Sequence, residues 1–418
     1  MAIRLDTGVP VVIFKRAGQT LHHGTLGIIR SLGKLGLLVY AVVENRYTPA
    51  AVSRYVAEAF VCKTAGLNAE NLLAGLAQIG ESLGRPAILI PTDDPGAVFL
   101  AEHAGDLRRW FLFPSVPSDL PRRLVNKHQL YCLCASAGAP CPETTAPASR
   151  EDVHAFIQRA KFPVVVKVAY PYRTSNRIPS VCVVHSAKQL LKTYERAERL
   201  DAPNLVIQEY IPGSLAEDWI FHGYVNPQTR CCVGFTGKKL RSYPAFAGPT
   251  MLGVSAPNPA LTEQAQALIQ SIGYAGVMDL DYRLDRRDGR YKLLDFNPRV
   301  GANFRMFENA AGVDVVRAMH LDLTGRPVPN ASQVAGRKLL VESHDLFAAA
   351  GYIWNGELTF RAWRNSLKGQ KELAWFEWKD PAPALAMCLS LPFRALRRVF
   401  RFFSQHSRPD VVRQPLRE

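Results

Sequence analysis

The sequence predicts an N-terminal α/β unit with a parallel sheet, followed by an α+β unit built on antiparallel strands. Three observations carry this. Continuous apolar runs, VPVVIF from Val9, LLVYAVV from Leu37 and AILIP from Ala87, alternate with helical stretches near Thr25–Leu35 and Asn68–Leu83. Strands apolar on both faces belong to sheets covered on both sides, the habit of parallel α/β architecture. Beyond Pro114, Pro117 and Pro121, the runs FPVVVKV, VCVV and LVIQEYIPG lie between two helices and read as a small antiparallel lobe. Finally, Asp288-Gly289 between two alternating runs is a hairpin signal.

The elements follow in order. The loop GQTLHHGTLG sits where a dinucleotide phosphate loop would, yet it lacks GxGxxG spacing, and Glu44 is a weak ribose carboxylate. His22-His23 reads as a solvated pair. A helix from Asn126 to Ala137 stops at Gly138, and the capping box Ser149–Asp152 opens the next. An irregular AYPYRTSNRIPS loop precedes VCVV, and a helix from Ser186 to Leu200 precedes LVIQEYIPG. Longer strands, WIFHGYV and CCVGFTG, come after Gly213, then a helix from Thr262 to Ile272 and the hairpin. The expected domains are residues 1–121, residues 122–330 with lobes at about 126–209 and 210–330, and an extension over 331–418.

A chain of 418 residues with 48% hydrophobic and 21% charged residues has ample material for two or three cores, which excludes a disordered or small disulfide-stapled protein. Arg30, Lys34, Pro392 and Arg394 interrupt the longest apolar stretches, and the first apolar run is too short for a signal-peptide core, so a cytoplasmic protein is expected. Eight cysteines without a CxxC pair read as free thiols. The net charge of +15 favours anionic partners.

Chemistry concentrates in the hairpin. With a three-residue loop Arg287–Gly289, Arg286 pairs with Arg290, Asp281 faces Asp295 and Asp279 faces Asn297. Leu280, Tyr282 and Leu284 then share the opposite face with Leu294 and Phe296, so one side is apolar and the other acidic. Two carboxylates about 5 Å apart repel by roughly 3 kcal/mol at an effective dielectric near 20, so a cation belongs between them. Lys or Arg meets that need. Mg²⁺ meets it too, taking a few carboxylate or amide oxygens and completing its octahedron with phosphate and water; Asn297 adds a neutral oxygen.

Asp281 within DLDY, followed by Asp295-Phe296-Asn297-Pro298-Arg299, resembles the metal-binding end of ATP-grasp ligases, with Asp295 where that family usually has Glu. The resemblance covers residues 122 to 325 and is strongest to the carboxylate-amine ligases. It implies a pre-ATP-grasp α/β domain followed by a two-lobed ATP-grasp fold. It also implies an enzyme that uses ATP and Mg²⁺, with Mn²⁺ as an alternative ion. Such an enzyme joins a small-molecule carboxylate to an amine through an acyl phosphate and releases ADP and phosphate. The implied metal ligands are Asp281, Asp295 and Asn297. Lys127 in LVNKHQL and Lys167 in PVVVKV match the lid lysines that reach the nucleotide. Gln208, Glu209 and Ile211 match the adenine-clamping hinge, and Glu217 or Asp218, with Asp218 favoured, the ribose carboxylate. Lys239 and Arg241, put on one face by strand alternation, match the terminal-phosphate contacts, and Arg299 the acyl-phosphate arginine, whose planar fork suits two-point contacts. Asn303 and Arg305 are assigned to the acceptor pocket. In place of the family's glycine-rich lid loop, Arg173, Thr174, Ser175 and Arg177 are available as donors.

Leu396, Val399, Phe400 and Phe403 fall on one helical stripe and Arg394, Arg397, Arg398 and Arg401 on another. Residues 394–403 are therefore expected to touch an anionic membrane surface, at the inner face, with docking on the protein's own core or on a partner as the alternatives. No nucleic-acid module is present, so nucleic acid is not an expected partner, and a homodimer is expected. The competing functional reading is a non-catalytic or weakly active ATP-binding scaffold at a membrane surface, on the same fold.

Overall fold

The computed structural model describes residues 3–18, 20–170, 181–197, 204–214, 217–245, 248–369 and 371–391. Its first sheet comprises β1 (Val11–Phe14), β2 (Val39–Val43), β3 (Glu58–Val61), β4 (Ala87–Pro91) and β5 (Phe111–Leu112). All pairings are parallel and the order is β3-β2-β1-β4-β5. The three long apolar runs form its centre. The edge strands β3 and β5 were not legible, because EAFV is half exposed and FL is only two residues long. The order turns back between β1 and β4, and at such a point the crevice beyond the carboxyl ends of the strands is where ligands sit. Asp93 stitches that crevice: it caps the helix Asp94–Glu102 at the Gly96 N–H (3.0 Å) and accepts from the Ala17 N–H at 2.6 Å.

The small lobe holds β6 (Thr144–Thr145), β7 (Val164–Val168), β8 (Val181–Val184) and β9 (Leu205–Glu209), antiparallel in the order β6-β9-β7-β8. The helices Arg150–Arg159 and Ala187–Ala197 belong to the same unit, and the capping box at Ser149 and Asp152 is present. Val153, Phe156, Val164, Val166, Leu190 and Ile207 make a core separate from the rest, so the lobe has the construction of a unit able to move as one piece.

The large sheet runs β14-β13-β10-β11-β12-β15-β16. Its strands are β10 (Asp218–Val225), β11 (Cys231–Ser242), β12 (Thr250–Ser255), β13 (Gly276–Asp285), β14 (Arg290–Asn297), β15 (Lys338–Leu340) and β16 (Lys371–Leu373). The last two come from beyond residue 330 and complete the sheet. Side chains alternate across it as a period of two requires: Ile220, Tyr224, Phe235 and Val277 join Val11, Ile13 and Ile88 in one core, while Phe221, Met278, Leu280 and Phe296 pack with Leu130, Leu133, Leu261 and Leu268 in another.

At the hairpin, Asp281 is opposite Asp295 and Asp279 opposite Asn297, as the sequence predicts. The turn itself differs. Asp285 pairs with Arg290, so the loop has one residue more than predicted, and the Gly289 N–H donates to the Asp285 carbonyl at 2.8 Å with φ +70°. A register shift between Asp281 and Tyr282 compensates, with Leu293 and not Leu294 opposite Tyr282. A bulge inserts one unpaired residue, which cancels the extra loop residue and restores the acidic pairing.

Candidate active site

Four elements converge on the acidic face. The Lys127 ammonium, at the start of the helix Lys127–Ser136 and capped by Asn126, pairs with Asp295 Oδ1. Lys239 of β11 pairs with Asp281 Oδ1 at 2.7 Å. Arg299 donates to Asp279 Oδ2 at 2.8 Å and lies 3.3 Å from Asp94 Oδ1 at the carboxyl end of β4. The cation demanded by the opposed carboxylates is therefore met by lysines from two different elements. Burial pushes the Asp295 carboxyl up, but the charge and hydrogen bond of Lys127, aided by Lys167 and Arg299, outweigh it and hold the group below the usual range. For Asp281 burial prevails and leaves its carboxyl raised, with the Asp279 and Asp295 charges adding to the rise against the pull of Lys239.

Lys167 of β7 donates to Gln208 Oε1 at 2.6 Å, and Gln208 Nε2 in turn donates to Thr144 Oγ1 at 2.9 Å. The Gln208 side chain thus orients a lysine, with Thr144 fixing its amide. Burial lowers the Lys167 pKa to about 8, with Lys127 as the next cause. Two signs follow. ATP affinity is expected to decline as pH rises through about 8, because the ammonium charge is lost. Folding stability is expected to increase between about 8 and 10.5, where the unfolded chain still binds the proton that the folded chain has released. Nucleotide titrations and denaturant unfolding on either side of pH 8 check both, and Lys167→Met abolishes both trends. An unchanged ATP affinity in Lys167→Met removes this lysine from the nucleotide site.

Several sequence assignments need correction. Arg241 was expected beside Lys239 on the phosphate face. It is 2% exposed, donates through Nε and Nη2 to Asp345 at 2.7 and 3.0 Å, and through Nη1 to Ser366 Oγ at 2.7 Å. Register shifts between Lys239 and Arg241 and between Arg241 and Ser242 break strict alternation, and a helix outside the resemblance supplies the carboxylate. Asp218, favoured for ribose, stands opposite Arg283 across β10 and β13 and is clasped by it at 2.6 and 2.9 Å. The same guanidinium reaches the Ile211 carbonyl at 3.2 Å, so Arg283 ties hinge to sheet. Glu217 accepts from the Ser214 N–H and hydroxyl and pairs with Arg286, whose side chain is exposed. The Glu209 carboxylate is held by Arg287 at 2.5 Å. Arg305, assigned to the acceptor pocket, is held by Glu372 at 2.7 Å. The four donors of the lid loop, Arg173, Thr174, Ser175 and Arg177, and the stripes at 394–403 lie outside the described residues.

Other groups were not singled out by the sequence reading or were misjudged. Asp94 reads in sequence as the start of a helix, and only the meeting of the first and third sheets brings it to Arg299. His222 of β10 is wholly buried with Nε2 2.7 Å from Asp279 Oδ1. A Cβ at Gly301 would stand 2.4 Å from that ring, so glycine there makes room for it. His22 is the N-cap of the helix His23–Gly33, accepting the Thr25 N–H at 3.1 Å, and is not a solvated loop residue. Burial lowers the pKa of His22 well below the usual imidazole range and that of His23 to about 4, so both are neutral.

Among the described residues no group of three or more His, Cys, Asp or Glu side chains could hold a metal ion unaided. Two opposed carboxylates and an amide instead suit a cation that draws its remaining ligands from phosphate and water. The Asn297 NH₂ donates to the Asp279 carbonyl at 3.1 Å, which leaves its Oδ1 as the acceptor end. No described helix is long and apolar enough to cross a membrane.

Residues 251–324, which contain Asp281, Asp295, Asn297 and Arg299, match the family described as carbamoyl-phosphate synthase L chain, ATP binding domain. Over 246 residues the chain is 24% identical to D-aspartate ligase from Enterococcus faecium, a stretch covering 55% of this chain and 57% of that ligase. The match therefore spans little more than half the relative's length. The ADP complex of N5-carboxyaminoimidazole synthetase from Staphylococcus aureus superposes with a TM-score of 0.59 at 14% identity, covering 79% of this chain and 81% of that one. The L-amino acid ligase from Bacillus licheniformis gives 0.57 at 16% identity, covering 76% and 75%. At these identities the structural likenesses establish the fold, and the family match covers the strands that carry the acidic pair. These likenesses show that the chain has the ATP-grasp fold, with the opposed carboxylates on the strands that the family match covers.

Proposed function

We propose that the protein is an ATP- and Mg²⁺-dependent carboxylate–amine ligase that forms an amide through an acyl phosphate and releases ADP and phosphate. The observation that carries the reading is the opposition of Asp281 and Asp295, each matched by a lysine from a different element. Asp281, Asp295 and Asn297 would hold Mg²⁺, which when bound neutralises charge on the terminal phosphates. Lys127, Lys167 and Lys239 are the cations for the phosphate oxygens, and fixed cations are most of what phosphoryl transfer asks of a protein. Glu217 or Asp218 would take the ribose hydroxyls, each being held by an arginine, Arg286 and Arg283 respectively. Arg241 is withdrawn from the catalytic set.

A carboxylate oxygen of the first substrate attacks the γ-phosphorus and ADP leaves. The amine then attacks the acyl carbon, phosphate departs with the C–O bond electrons, and the amine gives up a proton. Arg299, held between Asp94 and Asp279, is the donor for the oxygen on which charge develops. The small lobe, having its own core, closes to exclude water so that the acyl phosphate meets the amine. Amino acids are the proposed substrates, since two of the similar proteins are named as ligases of them. A screen of carboxylate and amine pairs for ADP formation tests this: ADP release should require both. ATP binding without turnover for any pair would favour the scaffold reading.

A further inference from the structure

The helix Lys127–Ser136 and the strap that follows it carry two thiols that meet. Cys134 is buried in the core that holds Leu130, Leu280 and Phe296, and Cys141 packs against the same core while staying partly open to solvent. The end of the helix brings them together. Gly138, at φ +65°, lets the chain turn back, and the Ala139 N–H closes the turn on the Cys134 carbonyl at 2.9 Å. The Leu293 N–H then fixes the strap by donating to the Pro140 carbonyl at 3.0 Å, and the Cys141 sulfur accepts a hydrogen bond from the Cys134 thiol. That bond, with the Lys292 ammonium beside it, holds the Cys141 thiol below its ordinary range against burial and the Glu209 charge. The same bond and burial push Cys134 up, so it keeps its proton. A partly accessible sulfur favoured as thiolate beside a protonated one is the arrangement of an attacking and a resolving cysteine. The vicinal cysteines do not meet in this way: Cys231 and Cys232 alternate across β11, and their thiols donate to the Val233 and Arg230 carbonyls at 3.3 and 3.7 Å.

The strap is also the root of the small lobe. The Glu143 carbonyl accepts the Glu209 N–H at 2.8 Å, and Thr144 fixes Gln208, which orients Lys167. At its other end, the helix that carries Cys134 begins at Lys127, the partner of Asp295. We propose that Cys134 and Cys141 form a reversible disulfide when the chain meets hydrogen peroxide, and that the bridge arrests the strap on which the small lobe moves; this second half rests on the ligase reading above. The Cys141 thiolate attacks one peroxide oxygen, the O–O bond breaks, and the departing hydroxide takes up the proton that the thiol released, leaving as water. The Cys134 sulfur then attacks the sulfenic sulfur of Cys141, the S–O bond breaks, and the second hydroxide leaves with the Cys134 proton. Two thiols are oxidised and one peroxide is reduced to two waters; a dithiol reductant reopens the bridge.

The test treats the full chain with hydrogen peroxide, blocks the remaining thiols with iodoacetamide and maps the peptides by mass spectrometry before and after dithiothreitol. A Cys134–Cys141 cross-linked peptide, lighter by two hydrogens, should form ahead of oxidation at the exposed Cys132 and Cys388 and disappear on reduction. In Cys134→Ala, which lacks the resolving thiol, Cys141 should proceed to the sulfinic acid. If that variant fails to fold, Cys141→Ser, at a partly exposed position, should leave Cys134 unmodified. With a carboxylate and amine pair that supports turnover, ADP release should fall about threefold or more in the bridged chain and recover with dithiothreitol, because lobe motions commonly set turnover. Cys141→Ser should keep its rate through the peroxide treatment. The proposal is overturned if no bridge forms, if Cys141 pairs with Cys132, or if the bridged chain turns over as fast as the reduced one. Absence of ADP release with every substrate pair overturns the ligase reading instead, and the bridge then stands or falls on the peptide map.

Discussion

Asp295→Ala is expected to lower ADP release at saturating ATP and Mg²⁺ by about 100-fold or more, the scale seen when one preorganised polar group is removed from a charge-developing site. The fold should survive. The Asp295 side chain is 31% exposed and belongs to the polar side of the hairpin, so no cavity opens in the core beneath Phe296 and Leu280. Two effects oppose each other. Lys127, only 9% exposed, loses its counter-charge, while Asp281 loses a like charge directly opposite. A net change within about 1–2 kcal/mol is expected, read from thermal unfolding beside the steady-state rate. Activity within a few-fold of the parent at high Mg²⁺ would remove the acidic pair from the reaction.

Arg241→Ala should behave in the opposite way. Its guanidinium and the Asp345 carboxylate are both almost fully enclosed, and the substitution leaves that carboxylate with the Trp363 indole N–H at 3.1 Å as its remaining side-chain donor. Removing one partner of such a pair costs about 3–5 kcal/mol, because an uncompensated buried charge remains. Denaturant unfolding should show this loss, while the fraction still folded keeps its ATP affinity. Replacing both partners, as in Arg241→Met/Asp345→Leu, should recover much of the stability, since an apolar pair leaves no charge behind. A phosphate-binding Arg241 predicts the reverse, a fall in turnover at unchanged stability, so one pair of measurements decides the role.

The acidic pairing was legible in sequence for a reason that tolerates error. The loop length was misjudged by one residue, but a bulge beyond Asp281 absorbed the difference, because the register that buries Leu280 and Phe296 also sets Asp281 against Asp295. Arg241 misled because alternation is a property of regular ladders, and β11 is irregular where a distant helix supplies Asp345. Asp218 misled because a cross-strand neighbour, Arg283, is visible only once β10 is known to pair with β13.

Local patterns determined the three central parallel strands, the small lobe with its capping box, the hairpin and the identity of the opposed carboxylates, since side-chain period and turn chemistry act over a few residues. Tertiary structure alone decided which cation meets which carboxylate: Lys127 on Asp295, Lys239 on Asp281, Arg299 on Asp94 and Asp279, and Arg241 on Asp345. Each of these pairs joins residues far apart in the chain, or elements whose adjacency follows from strand order, and a charge at contact distance outweighs any local preference of the residue that bears it.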